Sequence, residues 1–464
     1  MLLRLRFPFA LSLALATSAT WFFAAGSAHA EVRTMSLPEA LAFARTHQPR
    51  IRAALARVAA QKEEAEVPRS QWLPTLGVTA QLFAATANNT TGGYVSPGGI
   101  DIPRIGGTRA VSSGTWQPYA NSFIGASGNQ ELFDFGRIAA QSAAADARID
   151  VERQRARSSE LDVTFDVEEA YFAVLASKAV VKASEDAYDR ARAHRDLAKA
   201  GVDAGLRSPI ELTRAEADLT RFDIGRVRAR GGLAVAQTTF AAAVGSDDAS
   251  LDAGPAPATP PDLPLLDGAL RRAAERDPRL LAMRAEIHAE EEHTRAIGAE
   301  LRPELFLTGT ISGRAGGAAP SGNGEAAEHD GWLPNVPNWD AGIVLRWPLF
   351  DGTVHARERA SRAREQVRRE ELAGAQHDEA AAIRTAYGSV QIARDALPGL
   401  QRALEASHAN YAQAEARFRS GLGTSVELAD AEALRTDAEI QLALGQFELA
   451  RARAVLGRAI AEDS

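Results

Sequence analysis

The chain contains no cysteine. Disulfides, thiolate metal sites, a cysteine nucleophile and lipidation of an amino-terminal cysteine are therefore excluded. After position 31 the chain also lacks any apolar run of about 18 residues, the length that a membrane-spanning helix requires. If the mature chain enters a membrane, we expect it to do so as β-strands.

Positive charge is not concentrated anywhere along the chain. Lys and Arg number 52 against 60 Asp and Glu, which gives a formal net charge of -8. A nucleic-acid-binding protein normally carries a basic patch or stripe, so this class of function is excluded. With 464 residues and 45% apolar content, the chain is long enough for a sizeable core or several domains.

The amino terminus has the pattern of a secretory signal. Arginines at positions 4 and 6 precede an apolar stretch over 7–26, and the small-x-small pattern Ala28-His29-Ala30 follows. Residues 1–30 are therefore predicted to be a signal peptide that is removed on export. The apolar stretch is longer than a usual signal core, so an uncleaved membrane anchor is the alternative.

The sequence contains two copies of one plan, because short motifs recur in the same order. The recurring pairs are Ala40-Leu41 and Ala269-Leu270, Pro49-Arg50-Ile51 and Pro278-Arg279-Leu280, Leu132-Phe133-Asp134 and Leu349-Phe350-Asp351, and Gly205-Leu206 and Gly421-Leu422. Residues 31–253 and 265–464 are predicted to be structural repeats, each with a helix, a β-hairpin and a helical hairpin. Prolines in 254–264 cannot continue a helix and favour an extended linker.

Heptad spacing marks the helices of each copy. In the second copy the seven-residue positions are Ile383, Val390, Leu397, Leu404, Tyr411 and Phe418. Such a period winds helices left-handedly around one another. A helix of about 65 residues before Gly205 would be roughly 100 Å long, which favours a duct or spacer. An ordinary alanine-rich coiled coil without a lumen is the alternative, and Pro398 is expected to kink or break its helix.

Two short segments between the long helices are predicted to be the tips of helical hairpins. Gly205 and Gly421 suit the left-handed residue that ends a helix. Two residue pairs have the spacing of a capping box, Ser208 with Glu211 and Thr424 with Glu427. In such a box the side chain of the first residue accepts a hydrogen bond from the backbone amide three residues later, and the glutamate side chain accepts one from the backbone amide of the first residue. Capping alone would explain both glutamates.

Four segments are predicted to be strands, at 76–83, 121–133, 305–312 and 339–347. The last alternates apolar with mostly polar residues and has aromatic ends, as in a barrel strand. Loops rich in Gly, Ser, Asn and Pro, at 86–119 and 313–338, join the strands. Four strands leave open edges in lipid, and single-chain barrels start at about eight, so several chains must combine. Two solvent-exposed hairpins in a soluble protein are the alternative.

The sequence resembles the TolC family of outer-membrane efflux proteins in four features. These are the tandem repeat, the Pro-x-Leu motifs at 74–76 and 303–305 where the first strand of each copy begins, the motifs at 132–134 and 348–351 where the second strand ends, and the paired tips. The resemblance covers essentially the whole mature chain. It implies a mainly α fold with a small β part. Long coiled-coil helices form a trimeric α-barrel, and four strands from each of three chains form a twelve-strand transmembrane β-barrel.

The same resemblance implies a location and a set of partners. The homotrimer lies in the outer membrane of a Gram-negative bacterium, contacts its lipid and extends into the periplasm. It is expected to be the passive exit channel of a tripartite efflux or type I secretion system. Its protein partners are a periplasmic adaptor (membrane fusion) protein and an inner-membrane transporter.

In that family, acidic residues just after the second tip ring a narrow entrance. The resemblance places Glu427 and Asp430 in this ring, with Glu211 at the equivalent point of the first tip, where repeated carboxylates would favour the entry of cations. Some relatives lock the closed state with an arginine in the second tip, where this chain has Gly423. The tip residues expected to receive the adaptor are Gly205, Leu206, Ser208, Gly421, Leu422 and Thr424.

No enzyme signature competes with this interpretation. The sequence has no Walker A lysine loop, no Gly-x-Ser-x-Gly elbow and no His-Glu-x-x-His pair. His288 and His293 are five positions apart, off one helical face, which favours a solvated surface over a metal site. The chain is therefore predicted to be no enzyme and to have no metal and no cofactor. A periplasmic coiled-coil adaptor or scaffold without a pore is the rival function, and the substrate is left open.

Overall fold

A computed structural model of the protein describes residues 33–85, 119–255, 263–315 and 336–462. The expected signal peptide at 1–30, most of the two strand-connecting loops and the middle of the proline-rich linker lie outside these ranges. Across the described helices, none combines the length and the apolar character needed to cross a membrane.

Two series of elements follow one another in the same order. The first series comprises β1 (Thr34–Met35), α1 (Leu37–His47), α2 (Pro49–Ser70), β2 (Thr75–Ala85), β3 (Tyr119–Phe133), α3 (Arg137–Asp203) and α4 (Pro209–Val244). The second comprises β4 (Asp252–Ala253), α5 (Leu266–Arg276), α6 (Pro278–Ala299), β5 (Glu304–Ala315), β6 (Val336–Arg346), α7 (Gly352–Arg419) and α8 (Ser425–Ala459). Each series therefore has a short strand, two helices, a pair of long strands and a helical hairpin.

The helices α3 and α7 form the long shafts of the molecule. They contain 67 and 68 residues, which correspond to about 100 Å each at the rise of an α-helix. The prediction of helices far longer than a compact domain needs is confirmed. The expected break at Pro398 is wrong, because α7 continues through this residue. Pro398 lies on the exposed side of α7, while Leu397 and Leu400 on either side of it are half-buried and hold the helix in place.

The heptad positions of α7 form the seam that packs against α8. Ile383, Val390 and Phe418 are fully buried, and the other three predicted positions are half-buried. Gly445 of α8 lies opposite this seam, and a side chain there would collide with Leu400. A large residue thus fits against a glycine, which lets the two helices approach closely.

The four long strands form one antiparallel sheet in the order β2-β3-β5-β6. All four predicted strands are confirmed, and their ends differ from the prediction by a few residues. β2 and β6 are the two edges of this sheet, and each has one neighbouring strand in the described structure.

The register of the sheet separates two chemically different faces. It pairs Val78 with Ala126, Ala126 with Ile311, and Ile311 with Trp339. Side chains alternate along a strand, so the same face carries further exposed apolar residues. These are Leu76, Leu82, Ile124, Leu307, Ile343 and Leu345. The opposite face is more polar and carries Thr79, Gln81, Ser127, Thr310 and Asp340, together with the exposed Val344.

Two apolar clusters occur at corresponding places in the two series. The first is built around Val167, Tyr171 and Val174 of α3 with Phe240 and Val244 of α4, and it includes residues of α1, β1 and β4. The second is built around Ile383, Ala386 and Val390 of α7 with Leu456 of α8, and it includes residues of α5. Each cluster therefore joins the helical hairpin of its series to the first helix of that series, and the first cluster also includes β4 of the second series.

We predict that Phe240→Ala lowers the free energy of unfolding by about 3–5 kcal/mol, because it removes a fully buried ring and leaves a cavity. The Phe240 ring packs edge-on against Tyr171 with 5.7 Å between ring centroids. Val235→Ala on the same helix is the control, since Val235 is 67% exposed and its truncation is expected to change stability by at most about 0.5 kcal/mol. Urea unfolding followed by circular dichroism measures both, and equal midpoints for the two variants would contradict the assigned core.

Candidate functional site at the helical tips

The two helical hairpins end in the same backbone turn. Gly205 and Gly421 have φ angles of 71° and 76°, a conformation that glycine adopts without strain. In the first tip the amides of Leu206 and Arg207 both donate to the carbonyl of Gly201. In the second tip the amides of Leu422 and Gly423 donate in the same way to the carbonyl of Arg417. The prediction of two helix-ending glycines is confirmed.

Each tip presents a large apolar side chain to solvent. Leu206 is 84% exposed and Leu422 is 78% exposed, and Ile210 and Val426 beside them are also exposed. Exposed apolar residues that are clustered at one end of a molecule are typical of a protein-binding surface. The turn itself holds the two leucines outward, because each directly follows the glycine that ends the helix.

The helix caps of the two tips differ from the predicted capping boxes. Thr424 Oγ1 accepts from the Glu427 amide at 3.2 Å, so half of the second box is present. Ser208 makes no such side-chain bond, and its carbonyl accepts from the Glu211 amide instead. The prediction of a capping box at Ser208 is therefore wrong. The Glu211 carboxylate binds the Arg207 guanidinium at 2.7 Å, since a charged donor is a stronger partner than a neutral amide.

The three predicted entrance carboxylates have different surroundings. Glu427 and Asp430 are both exposed and lie three positions apart on α8, so they occupy one face of its first turns. Glu427 has a loose pair with Arg417 at 3.8 Å, and both side chains are about half exposed or more. Glu211 is partly buried and its charge is compensated by Arg207. The structure thus brings Glu427 and Asp430 together and leaves Glu211 bound within the first tip.

Arg207 also connects the two hairpins. Its Nη2 donates to the carbonyl of Phe418 at 2.8 Å, and its guanidinium lies 3.7 Å from the centre of the Phe418 ring. Phe418 is fully buried in the last turn of α7. Sequence reasoning identified Phe418 as a seam residue but missed Arg207. The available signal was an arginine at the position of the first tip that corresponds to Gly423.

Gly423 has little room for a side chain. A Cβ atom at this position would lie 3.0 Å from the Phe418 nitrogen and 3.1 Å from the Arg417 carbonyl carbon. Contacts this short with backbone atoms are tighter than normal van der Waals distances. The second tip is therefore built around a glycine, whereas the first tip carries Arg207 at the matching place.

A buried ionic cluster lies farther from the tips, where α3 packs against α8. The Arg190 guanidinium donates to both Glu432 carboxylate oxygens, at 2.8 and 2.9 Å, and Glu432 is 4% exposed. Burial raises the pKa of Glu432 above its usual value, and Arg190 opposes that rise. Arg435 binds Glu439 at 3.0 Å and lies over the ring of Tyr411. This cluster links a helix of the first series to the hairpin of the second.

The two histidines considered from sequence, His288 and His293, both lie on α6. His288 has Glu291 and Glu292 at 3.8 Å. The described part of the chain holds no group of three or more His, Asp or Glu side chains that converge for a metal ion.

Comparisons with known proteins place these features in a family. Residues 41–246 and 269–462 match the sequence model of a family described as outer membrane efflux protein. The chain is 27% identical to Protein CyaE of Bordetella pertussis over 404 residues, which cover 86% of this chain and 78% of CyaE. The CmeC outer membrane channel of Campylobacter jejuni has a similar structure, with a TM-score of 0.72 and 13% identity over 91% of this chain and 85% of CmeC.

The outer membrane protein VceC of Vibrio cholerae is also similar. Its TM-score is 0.68 at 17% identity, over 91% of this chain and 95% of VceC. At these identities the two structures show a shared fold. The family match extends over most of both series of elements, and it confirms the resemblance seen in the sequence. The chain belongs to the outer membrane efflux protein family.

Proposed function

We propose that three copies of this outer-membrane channel protein assemble into one passive duct. In this duct the helices form a periplasmic tube and the strands form a barrel in lipid. The observation that carries the proposal is the sheet, which has one exposed apolar face and two edges that are unpaired among the described residues, and which is joined to shafts about 100 Å long. Every strand edge must be paired within hydrocarbon, so the sheet needs copies of itself on both sides.

The helices next to the sheet edges support the same arrangement. α2 leads into the edge strand β2, and α7 follows the edge strand β6. On each of these helices a stripe of small exposed residues with one valine lies on the side away from its own chain. The stripes consist of Ala53, Ala56, Ala60 and Val67 on α2, and of Ala356, Ala360, Ala363, Val367 and Gly374 on α7. Small residues let helices of neighbouring copies approach closely.

Three copies would also complete the entrance. Glu427 and Asp430 sit on the first turns of α8, next to the second tip. Repeated around a threefold axis, they form an acidic ring that attracts cations and narrows the path. Glu211 contributes less charge to this ring, because Arg207 binds it.

The tips are the proposed contact surface for the periplasmic adaptor. Leu206 and Leu422 supply exposed apolar contacts at the end of each hairpin. Ser208 and Thr424 lie beside them, and both are exposed. The adaptor in turn connects the duct to an inner-membrane transporter, which supplies the energy. Drugs, metal ions and secreted proteins all remain candidate substrates, because a wide lumen needs few specific contacts.

A scaffold without a pore is the second candidate. The apolar face of the sheet disfavours it, since Trp339 is 77% exposed and Leu76 is 83% exposed. A periplasmic scaffold would leave this face in water, where a large apolar patch promotes aggregation.

We predict that Ala363→Asp dissociates the trimer of the mature protein in detergent. The change places a carboxylate in each close helix contact between copies, and taking a charge out of water costs several kcal/mol. Ala179→Asp is the matched control, because Ala179 is exposed on α3, which has helices of its own chain on both sides. Light scattering coupled to size-exclusion chromatography gives the mass. A wild-type monomer that is soluble without detergent would exclude the proposed assembly.

We predict that the double variant Glu427→Ala, Asp430→Ala raises the conductance of the protein in a planar bilayer by roughly twofold or more and reduces its preference for cations. Removing three copies of each carboxylate widens the entrance and removes its negative charge. Asp203→Ala is the control, since Asp203 is an exposed carboxylate at the end of α3 that pairs with Lys199. An equal rise in conductance for Asp203→Ala would show that Glu427 and Asp430 do not form the narrowest part of the channel. A trimer that never conducts would support the scaffold.

A further inference from the structure

Near the tips, the two helical hairpins contact each other at the aromatic side chain of Phe418. Phe418 projects from the last turn of α7 and is fully buried. Arg207 of the first tip contacts its ring from one direction. His194 of α3 contacts it from another, with 4.7 Å between ring centroids and an angle of 76° between the rings. Phe418 is thus held by two residues of the first hairpin, which together form what we call the Phe418 clamp.

Arg207 is fixed in place on several sides. Glu211 pairs with its Nη1 at 2.7 Å, and its Nη2 donates to the Phe418 carbonyl. Its stem lies so close to Gly201 that a side chain there would collide with it. The Arg207 side chain is only 16% exposed. A charge-assisted hydrogen bond and a cation–π contact in such a place are stronger than the same contacts on an open surface.

Arg207 has partners that stabilise its positive charge, whereas a positive charge on His194 would not be stabilised to the same extent. Its Nε2 is buried and has no hydrogen-bond partner among the described residues. Burial lowers the pKa of His194, the neighbouring Arg207 lowers it further, and Asp218 and Glu211 oppose this effect. Neutral histidine is therefore the form that fits the closed clamp.

The nearby carboxylates are already engaged. A small cavity of about 10 Å³ beside His194 is also lined by Arg190, Asp218, Tyr411 and Glu432, from all four helices of the two hairpins. Asp218 pairs with Arg221 at 3.2 Å, and Glu432 pairs with Arg190. Glu211 pairs with Arg207. A protonated His194 would thus have to compete with arginines for each acidic partner.

We propose that the Phe418 clamp is a proton-sensitive contact, in which Arg207 holds Phe418 in the closed channel and protonation of His194 loosens that hold. The inference rests on the proposed channel function. When the hairpins separate, His194 enters water and regains its ordinary pKa of about 6.5. The separated state then binds a proton more readily than the closed state does, so a fall in pH through that value favours opening.

The first test is the conductance of the purified full-length mature trimer in a planar bilayer. Between pH about 7.5 and about 6.0, we expect the open probability of the wild type to rise about threefold or more. His194→Gln is expected to abolish this rise, because glutamine does not titrate. Arg207→Gln is expected to give a high open probability at both pH values, and Arg207→Lys to restore part of the closure.

Two controls separate the clamp from other titrating groups. Arg419→Gln removes an exposed arginine that pairs with Glu415 on its own helix, and it is expected to behave as the wild type. Glu427→Gln changes the proposed entrance ring and is expected to keep the pH-dependent rise. A rise that persists in His194→Gln, or a closed channel in Arg207→Gln, would overturn the proposal.

A second readout does not depend on conductance. Because the chain has no cysteine, Ala191→Cys places a single thiol at a buried position that lines the small cavity. At pH about 6.0 we expect maleimide to label this thiol about threefold faster in the His194 background than in the His194→Gln background. Comparison at one pH removes the titration of the thiol itself. Equal rates would refute the clamp even if the protein failed to conduct, whereas absence of conductance with unequal rates would refute only the channel.

Discussion

Backbone hydrogen bonding in lipid is the constraint on which the architecture depends. Water is absent from hydrocarbon, so a strand edge there must be paired. The sheet of one chain offers an apolar face suited to lipid, but its edge strands β2 and β6 have no neighbour on the outer side among the described residues. In the proposed assembly, other copies of the chain supply the missing neighbours. In that proposal the stripes of small residues on α2 and α7, the helices joined to these two edge strands, extend the contact between copies from the sheet down the shafts.

The helical part solves a different problem, that of keeping very long helices parallel over about 100 Å. The seam of α7 does this with a large residue every seven positions and small residues opposite, such as Gly445. Such packing is regular, so sequence spacing alone predicted it. The strands were also predictable, because apolar and polar residues alternate within them. Turn residues and the recurring Pro-x-Leu motif mark where they begin and end.

The candidate site was less predictable, and the reason lies in competition between side chains. The spacing of Ser208 and Glu211 predicted a capping box at the start of α4. Such a box is expected to form when the glutamate has no stronger hydrogen-bond partner nearby. In the folded chain Arg207 is close enough to take the Glu211 carboxylate, and a guanidinium wins over a backbone amide. Pro398 is a similar case, since seam contacts on both sides of it outweigh the loss of one helical hydrogen bond.

Contacts between the two hairpins could not be predicted from either repeat taken alone. Arg190 and Glu432 are 242 positions apart in the sequence, and the residues around each of them do not identify the other as its partner. The net stabilisation from this ion pair is also modest, because the free energy needed to remove two charges from water offsets much of their electrostatic attraction. In the proposed opening, the boundary between α3 and α8, which this pair helps to hold, is the one along which the hairpins separate.

The two tips show how duplication allows such a division of roles. Their backbone turns are the same, with a glycine in the left-handed conformation followed by an exposed leucine. The next residue differs, because Arg207 reaches across to Phe418 while Gly423 leaves space for the backbone of α7. One tip consequently carries a contact between the hairpins, and the other leads directly into the exposed carboxylates of α8. Since the backbone turn is shared, the contact with Phe418 depends on the single side chain at this position of the turn.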